Sequence, residues 1–487
     1  MKASIKQHIL LAVTLAASTA STMAQEFNSA YFTDDFKYRH TMNAAYGNDQ
    51  GYAAIPILGN LNIRLQGSFG VGDVLFPNPY YGSPLHPNAK KTATFLHPAI
   101  SADEGLSKLD KDRNTIMADI GLTIASVGFK AFGGYNTIEL KENTRVGLSL
   151  PYEFFEFAKD LNNKDYDMSD LSFRAQSYVE LAFGHSRKIM DDLRVGAKLK
   201  VLLGAARADF TMDHMHASLT GNKWILEGKA RGELNLKGAT FKTKPKEYKS
   251  KQETYPSIDD IDIDGAGLGG FGLGVDLGAI YDFKNIDVEW LKPLKVSMAL
   301  NDLGFISWSN CRVVETHGEP FEFDGFQDIT VKKNTGNSLS ERSDQYADKL
   351  TDFVNLEDKG DEGGKTTMLA TTLKLGAEYT LPMYDKVSFG LLGTHRFEGD
   401  YSWTEGRLSA NYRPLSWLDG GVNVAVTSFC TTMGWVINFH PVGMNVFFGM
   451  DHMVGKTGAS MVPLSSNLSF CMGFTAAWGG KKKNKKG

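Results

Sequence analysis

A two-residue rhythm, repeated along most of the chain, restricts the possible folds more than any other feature. Near the C-terminus, Phe470, Met472, Phe474, Ala476 and Trp478 alternate with Ser469, Cys471, Gly473, Thr475 and Ala477. Successive side chains of a strand point to opposite faces, so this segment has one large, greasy side and one small, mildly polar side. In Leu193–Val201, leucines, valines and alanine alternate with Arg194, Gly196, Lys198 and Lys200. The same pattern runs through 275–283, 296–301, 407–412 and 422–427. A soluble β-sandwich also alternates. Here, however, many strands run to about ten residues or more, the reach of a tilted membrane-spanning strand.

Strands are read at 58–72, 114–131, 136–150, 171–185, 193–209, 268–283, 294–302, 367–380, 386–397, 402–413, 418–429, 432–440, 443–453 and 467–478. About fourteen strands is an even number, as single-chain bacterial barrels require. Alternate links are short (RKIMDD, LPMYD, RPLSW, HPVG). The others include long ones near 73–113, 151–170, 210–267 and 303–366. Trp290, Trp308, Tyr379, Trp403, Tyr412, Trp417 and Trp478 gather near strand ends, as interfacial girdles would. The expected fold is all-β: a transmembrane antiparallel β-barrel with its N-terminal segment inside and short helices in its long outer loops. Such helices are read at Ser338–Val354 and at Pro151–Leu161, where proline suits the first position.

The first residues have the form of an export signal. MKASIKQ carries two lysines, ILLAVTLAA is a short apolar core, and cleavage after Ala24 leaves Gln25. No later run of about 18 apolar residues offers a spanning helix. The expected division is signal 1–24, inward hatch 25–57, barrel 58–480 and basic tail 481–487, with both termini periplasmic. The tail lysines, Lys481, Lys482, Lys483, Lys485 and Lys486, read as a solvated segment. The formal charge of −4 and the lack of a basic patch interleaved with aromatics give no reason to expect nucleic acid. The three cysteines, Cys311, Cys430 and Cys471, allow at most one internal bridge and include no zinc-type spacing.

The segment NSAYFTDDFKYRHTMNAAYGNDQGYAAIPILGNLNIRLQGSFG, together with GFGLGVDLGAIYDF and LKPLKVSMALNDLGFISW, resembles a Gram-negative outer-membrane family of unassigned function. That family is similar to the FadL/PorV-type barrels, the long-chain fatty-acid transporter superfamily. The resemblance implies a fourteen-stranded barrel whose N-terminal segment folds inward as a hatch. FadL-like proteins carry Asn-Pro-Ala in this segment. Here Asn43, Ala44 and Ala45 stand without the proline, and no ligand-binding residue carries over. The implied function is a channel for small, hydrophobic molecules. The alternative is a PorV-like structural or secretion-accessory barrel that binds protein partners through its outer loops. The expected partner in either case is the lipid bilayer of the outer membrane.

Strand phase places Asp119, Arg145, Glu180, Lys198, Lys200, Asp276, Lys374, Glu378, Arg396, Arg407 and Asp451 in the lumen. An Arg or Lys facing lipid at mid-depth costs about 2–4 kcal/mol. Mixed signs in a narrow interior favour bracing pairs over a wet path. Asp260–Gly265 mimics the start of a calcium loop, but its twelfth position is Phe271, so it reads as a solvated acidic loop. His214 and His216 share a face but are too few for a metal site, and Asp451 and His452, as strand neighbours, point apart. No nucleophile motif is present, so the reading includes no catalytic residue, cofactor or metal.

Overall fold

The computed structural model describes residues 27–54, 59–159, 165–220, 223–247, 254–316, 321–323, 356–453 and 467–479. The signal segment, the lysine tail and the helix read at Ser338–Val354 lie outside the described residues.

Fourteen antiparallel staves close into a barrel. β1 is split into Gly51–Ala54 and Leu61–Gly67. β2 to β7 are Arg113–Ala131, Gly134–Pro151, Leu171–Lys188, Leu193–Thr220, Gly270–Asp282 and Leu294–Trp308. β8 comprises Lys365–Met368 and Thr371–Thr380, and β9 to β11 are Val387–Phe397, Trp403–Leu415 and Leu418–Thr427. β12 to β14 are Thr431–Phe439, Met444–Met450 and Leu468–Trp478. Each stave pairs with the next, and β1 closes the cylinder by pairing with both β14 and β2. Closure gives every stave a paired neighbour on both sides, the condition for strands in lipid.

Alternation arises from the two surroundings. Leu199, Leu277, Met298, Leu391, Leu408, Val422, Val424, Val426 and Met472 are exposed on the outer wall, while Lys198, Asp276, Ala299, Leu392, Arg407, Asn423 and Cys471 are buried within. Trp290, Tyr412, Trp417 and Trp478 are exposed at the short-turn end, where an interfacial belt belongs.

Two expected girdle residues face the other way. Trp403 has the same parity as Arg407 and is buried with it. Trp308 is turned in by a bulge, where Asn301 and Asp302 together stand opposite Asp276 and Asp302 adopts φ +61°. An extra residue inverts the phase of everything beyond it. Asn301 and Asp302 are thus both buried, and so are Ile306 and Trp308.

Two long connections expected as loops, near 210–267 and 303–366, contain sheet in their described parts. The outer half of β5 continues past the wall and pairs with Lys223–Glu247, which pairs with Thr254–Gly267 and Arg312–Thr316. Leu356–Asp361 joins the far side of Arg312–Thr316. Asp260–Gly265 therefore lies in a strand, not in a loop. These strands are rich in Lys, Glu and Thr, and their apolar side is thin: Leu226 and Ala230 pack with Met212 and Met215, but Gly228 and Gly232 interrupt the alternation, so the signal is weaker than in the staves. The expected helix after Pro151 is present as Tyr152–Lys159, and Phe155 on it packs with Phe76, Phe95, Ile100 and Leu106 from the 68–112 connection.

Residues 27–50 fill the barrel. The hatch was expected to run to Ile57, but Gly51–Ala54 already belong to the wall ladder. Phe36 meets Phe447 edge-on at 4.7 Å, and Tyr31, Tyr38 and Met42 are fully buried beside Leu392 and Val436. The wall makes room with glycine. A Cβ on Gly196 would sit 2.0 Å from Ala44 O, and one on Gly278 2.1 Å from Asn43 Oδ1. A Cβ on Gly390, Gly434 or Gly449 would likewise stand 2.2, 2.6 or 2.5 Å from Phe32, Ser29 or Phe27.

Candidate functional site

The lumen above the luminal segment is braced by charge. Lys200 Nζ lies 2.6 Å from Asp302, 2.8 Å from Asp276 and 3.7 Å from Glu180. Arg145 lies 3.4 Å from Asp119 and 4.0 Å from Asp302. Arg396 reaches Asp119 at 3.2 Å and Glu398 at 2.7 Å. β9 and β2 are not neighbours, so the Arg396–Asp119 pair spans the lumen. Lys198 donates to Glu139 at 2.6 Å.

A second group holds the luminal segment. Asp451 accepts the backbone N–H groups of Asn28 at 3.0 Å and Ser29 at 2.6 Å, and Arg64 Nη2 at 2.8 Å. Arg407 pairs with Glu405 at 2.9 Å and donates to Ser29 Oγ at 3.1 Å. Lys374 Nζ donates to Asn28 Oδ1. Glu378 accepts from Ser388 at 3.0 Å, with Lys295 at 3.8 Å. Every charged residue named from strand phase thus has a partner inside the barrel. His452 departs from its expected outward direction: β13 ends at Met450, so strand alternation no longer governs 451 and 452, and both are fully buried.

Above these pairs lies a chamber of about 390 Å³. Its depth is lined by Asp119, Arg145 and Tyr178, its upper wall by Arg174, Arg207, Asp209, Glu398 and Tyr401. Met368 and Phe397 also line it and are 67% and 52% exposed, which makes them its lip. The lip lies where β8 is paired on one side only: Lys365–Met368 pairs with β7, while the ladder to β9 begins at Thr371–Phe397. Asp209 accepts from Arg174 at 2.9 Å and Arg207 at 3.1 Å. Arg145 Nε is buried and makes no hydrogen bond. The chamber therefore has guanidinium groups paired with carboxylates inside and exposed apolar surface at its edge.

Above the chamber, in the outer sheet, Glu233 accepts from Arg207 at 3.0 Å and from Lys365. Burial alone would raise its pKa, but these hydrogen bonds and charges outweigh it and hold the carboxyl below its usual range. His214 and His216 stack on the outer part of β5, with His216 Nε2 3.6 Å from Asp165.

Strand phase had not singled out Glu139, Arg174 or Glu405, although they share the parity of residues it did name. The bulge between Ser177 and Tyr178, opposite Ala205, hid Arg207 by inverting its phase.

A family profile described as a family of unknown function, DUF5723, matches residues 44–451. The chain belongs to this family. None of the curated proteins matches it. Among solved structures, the P. putida toluene transporter TodX is 8% identical over 94% of this chain and 95% of its own, with TM-score 0.39. The Ralstonia pickettii toluene transporter TbuX is 9% identical over 94% of each chain, with TM-score 0.38. A Pseudomonas aeruginosa FadL homologue is 9% identical over 94% of this chain and 95% of its own, with TM-score 0.39. At these TM-scores the likenesses carry no argument, and the barrel rests on this family member's own closed ladder.

Proposed function

We propose that the protein is an outer-membrane channel of FadL-like type, with both termini periplasmic, that admits small molecules with an apolar body. The observation that carries this reading is the chamber: an exposed apolar lip of Met368 and Phe397 leads to a wall bearing Arg145, Arg174 and Arg207. A ligand that buries its body against the lip leaves its polar end among the guanidinium groups, which suit carboxylate-like acceptors. The cargo class is therefore hydrophobic molecules with one polar or anionic end. The chain's own residues supply the binding, and no catalytic group is invoked.

The test uses decanoate and decanol as probes. Proteoliposomes take up decanoate faster than empty vesicles, and Arg174→Ala lowers decanoate binding about tenfold while leaving decanol within about twofold, as the loss of one charged hydrogen bond requires. Uptake equal to that of empty vesicles refutes the channel. A PorV-like accessory role is the second reading, favoured by the sheet of Lys223–Glu247, Thr254–Gly267 and Arg312–Thr316 standing outside the wall. It requires a stoichiometric partner in pull-downs from detergent extracts.

A further inference from the structure

At the short-turn end, far from the chamber, three residues from separate parts of the chain converge. Asp35 belongs to the luminal segment, Asp419 is the second residue of β11, and His440 comes directly after β12. His440 Nε2 lies 3.5 Å from Asp419 Oδ1 and 3.8 Å from Asp35 Oδ2. One ligand atom from each residue fits within 4.8 Å of the other two.

His440 Nε2 is buried and makes no hydrogen bond, although its side chain is only 5% exposed. A buried ring nitrogen without a partner is costly, and the two carboxylates in front of it stand too far off to satisfy it. Those spacings suit something placed between them. Ligands about 2.1 Å from a tetrahedral ion stand about 3.4 Å apart.

We propose that Asp35, Asp419 and His440 form a binding site for a divalent first-row transition ion that fastens the luminal segment to the wall. Two carboxylates and a neutral imidazole balance the charge of such an ion. The nitrogen ligand disfavours calcium and magnesium, which take oxygen. The supporting groups are in place. Asn438 Nδ2 donates to Asp419 Oδ1 at 2.7 Å, and Asn445 Nδ2 holds Asn438 Oδ1 at 2.6 Å. The backbone N–H of His440 donates to Trp417 O at 2.8 Å. Hydrogen bonds of this kind orient metal ligands. Access comes from the same end: the Asp35 side chain is 36% exposed, and Asp419 borders a cavity of about 30 Å³, room for a water as a further ligand. Arg413 Nη1 sits 3.6 Å from Asp35 Oδ2 and is itself 43% exposed, so it is the group an arriving ion displaces.

The experiment titrates Zn²⁺ into untagged, EDTA-stripped full-length protein in detergent, by calorimetry. Wild type binds one equivalent at this site, and His440→Gln and Asp419→Asn each weaken it about tenfold or more. Heat-modifiable migration on gels verifies that each variant keeps its barrel. In wild type, amide exchange across residues 27–50 slows about 100-fold when Zn²⁺ reaches a hundred times its Kd, and in His440→Gln it does not. Binding unchanged in His440→Gln, or abolished by His214→Ala, assigns the ion elsewhere and overturns the proposal. So does an exchange rate indifferent to Zn²⁺.

Discussion

Asp451→Asn tests how the luminal segment is anchored. Asp451 is fully buried and accepts the N–H groups of Asn28 and Ser29 as well as Arg64. Asparagine keeps one acceptor oxygen and turns an NH₂ group toward donors. One charge-assisted bond to the segment is lost, worth about 1.5–3 kcal/mol, and the other becomes neutral. Part of the further cost, the weakened pairing of Arg64, stays in the wall whether or not the segment is docked. It is not counted toward release. Docking therefore weakens by about 2–3 kcal/mol, or about 30–150-fold in the opening equilibrium. Amide exchange by mass spectrometry reads this directly. Peptides within 27–50 exchange faster by that factor, while peptides from β11 and β12, whose ladder does not touch Asp451, keep their protection. Unchanged exchange in 27–50 refutes the anchoring argument. An equal loss in β11 and β12 refutes the separation of segment from wall.

Three further outcomes rest on particular contacts. Gly278→Val drives side-chain atoms into Asn43 and Ala45, so it weakens docking by about 1–3 kcal/mol, read as faster exchange in 27–50. The stability that Glu233 lends the outer sheet is fully present above about pH 4.3, the unfolded value, because its folded pKa is lowered. It is lost as pH falls through the folded value, so exchange in 223–247 rises at acid pH in wild type and much less in Glu233→Gln. The cysteines are all free, and burial pushes the thiols of Cys311 and Cys430 up. Migration is therefore the same with and without reductant, and a maleimide labels half-buried Cys430 before Cys311 or Cys471.

The wall was legible because each stave meets two unlike surroundings. Hydrophobic alternation is the imprint of that difference, and it locates Leu193–Val201 or Leu468–Trp478 within a residue or two. The outer sheet left a weaker imprint: Leu226, Ala230, Leu234 and Leu236 alternate with Glu227, Lys229, Arg231 and Glu233, but Gly228 and Gly232 thin the apolar side and Lys, Glu and Thr fill much of the rest. Phase was readable only up to the first bulge. Val296, Met298 and Leu300 were assigned outward, but Asp302 inverts the rest of the strand and carries Trp308 inside. The cluster of Asp35, Asp419 and His440 had no sequence signal at all, because its members are brought together only when the barrel closes around its N-terminal segment.

Glycine shows how one feature was legible for an incomplete reason. On the inner faces of the staves it reads as the small half of an alternation, as any small residue would. The structure assigns several of these positions a stricter duty. Gly196 on β5 and Gly278 on β6 lie at one register, paired with each other, and together they receive Asn43–Ala45. Any side chain at either position would meet backbone or the Asn43 amide at about half of a van der Waals contact distance. The resemblance to FadL-type barrels drew attention to this same tripeptide for its missing proline. What holds the tripeptide here is supplied by the wall: the paired glycines against it, and Asn43 Nδ2 donating to Met298 O at 3.2 Å. A segment fixed by contacts of this kind needs no proline to pre-set its backbone, so the lost proline is compatible with a tightly seated luminal segment. Restoring it as Ala44→Pro would then loosen the seat: Asn43 is already extended and tolerates a following proline, but the ring carbon added on Ala44 N enters the close approach to Gly278, where a Cβ would stand 3.0 Å from that nitrogen. Faster exchange across 27–50 in Ala44→Pro is the expected result, and slower exchange would show that the chain still wants the proline it lacks.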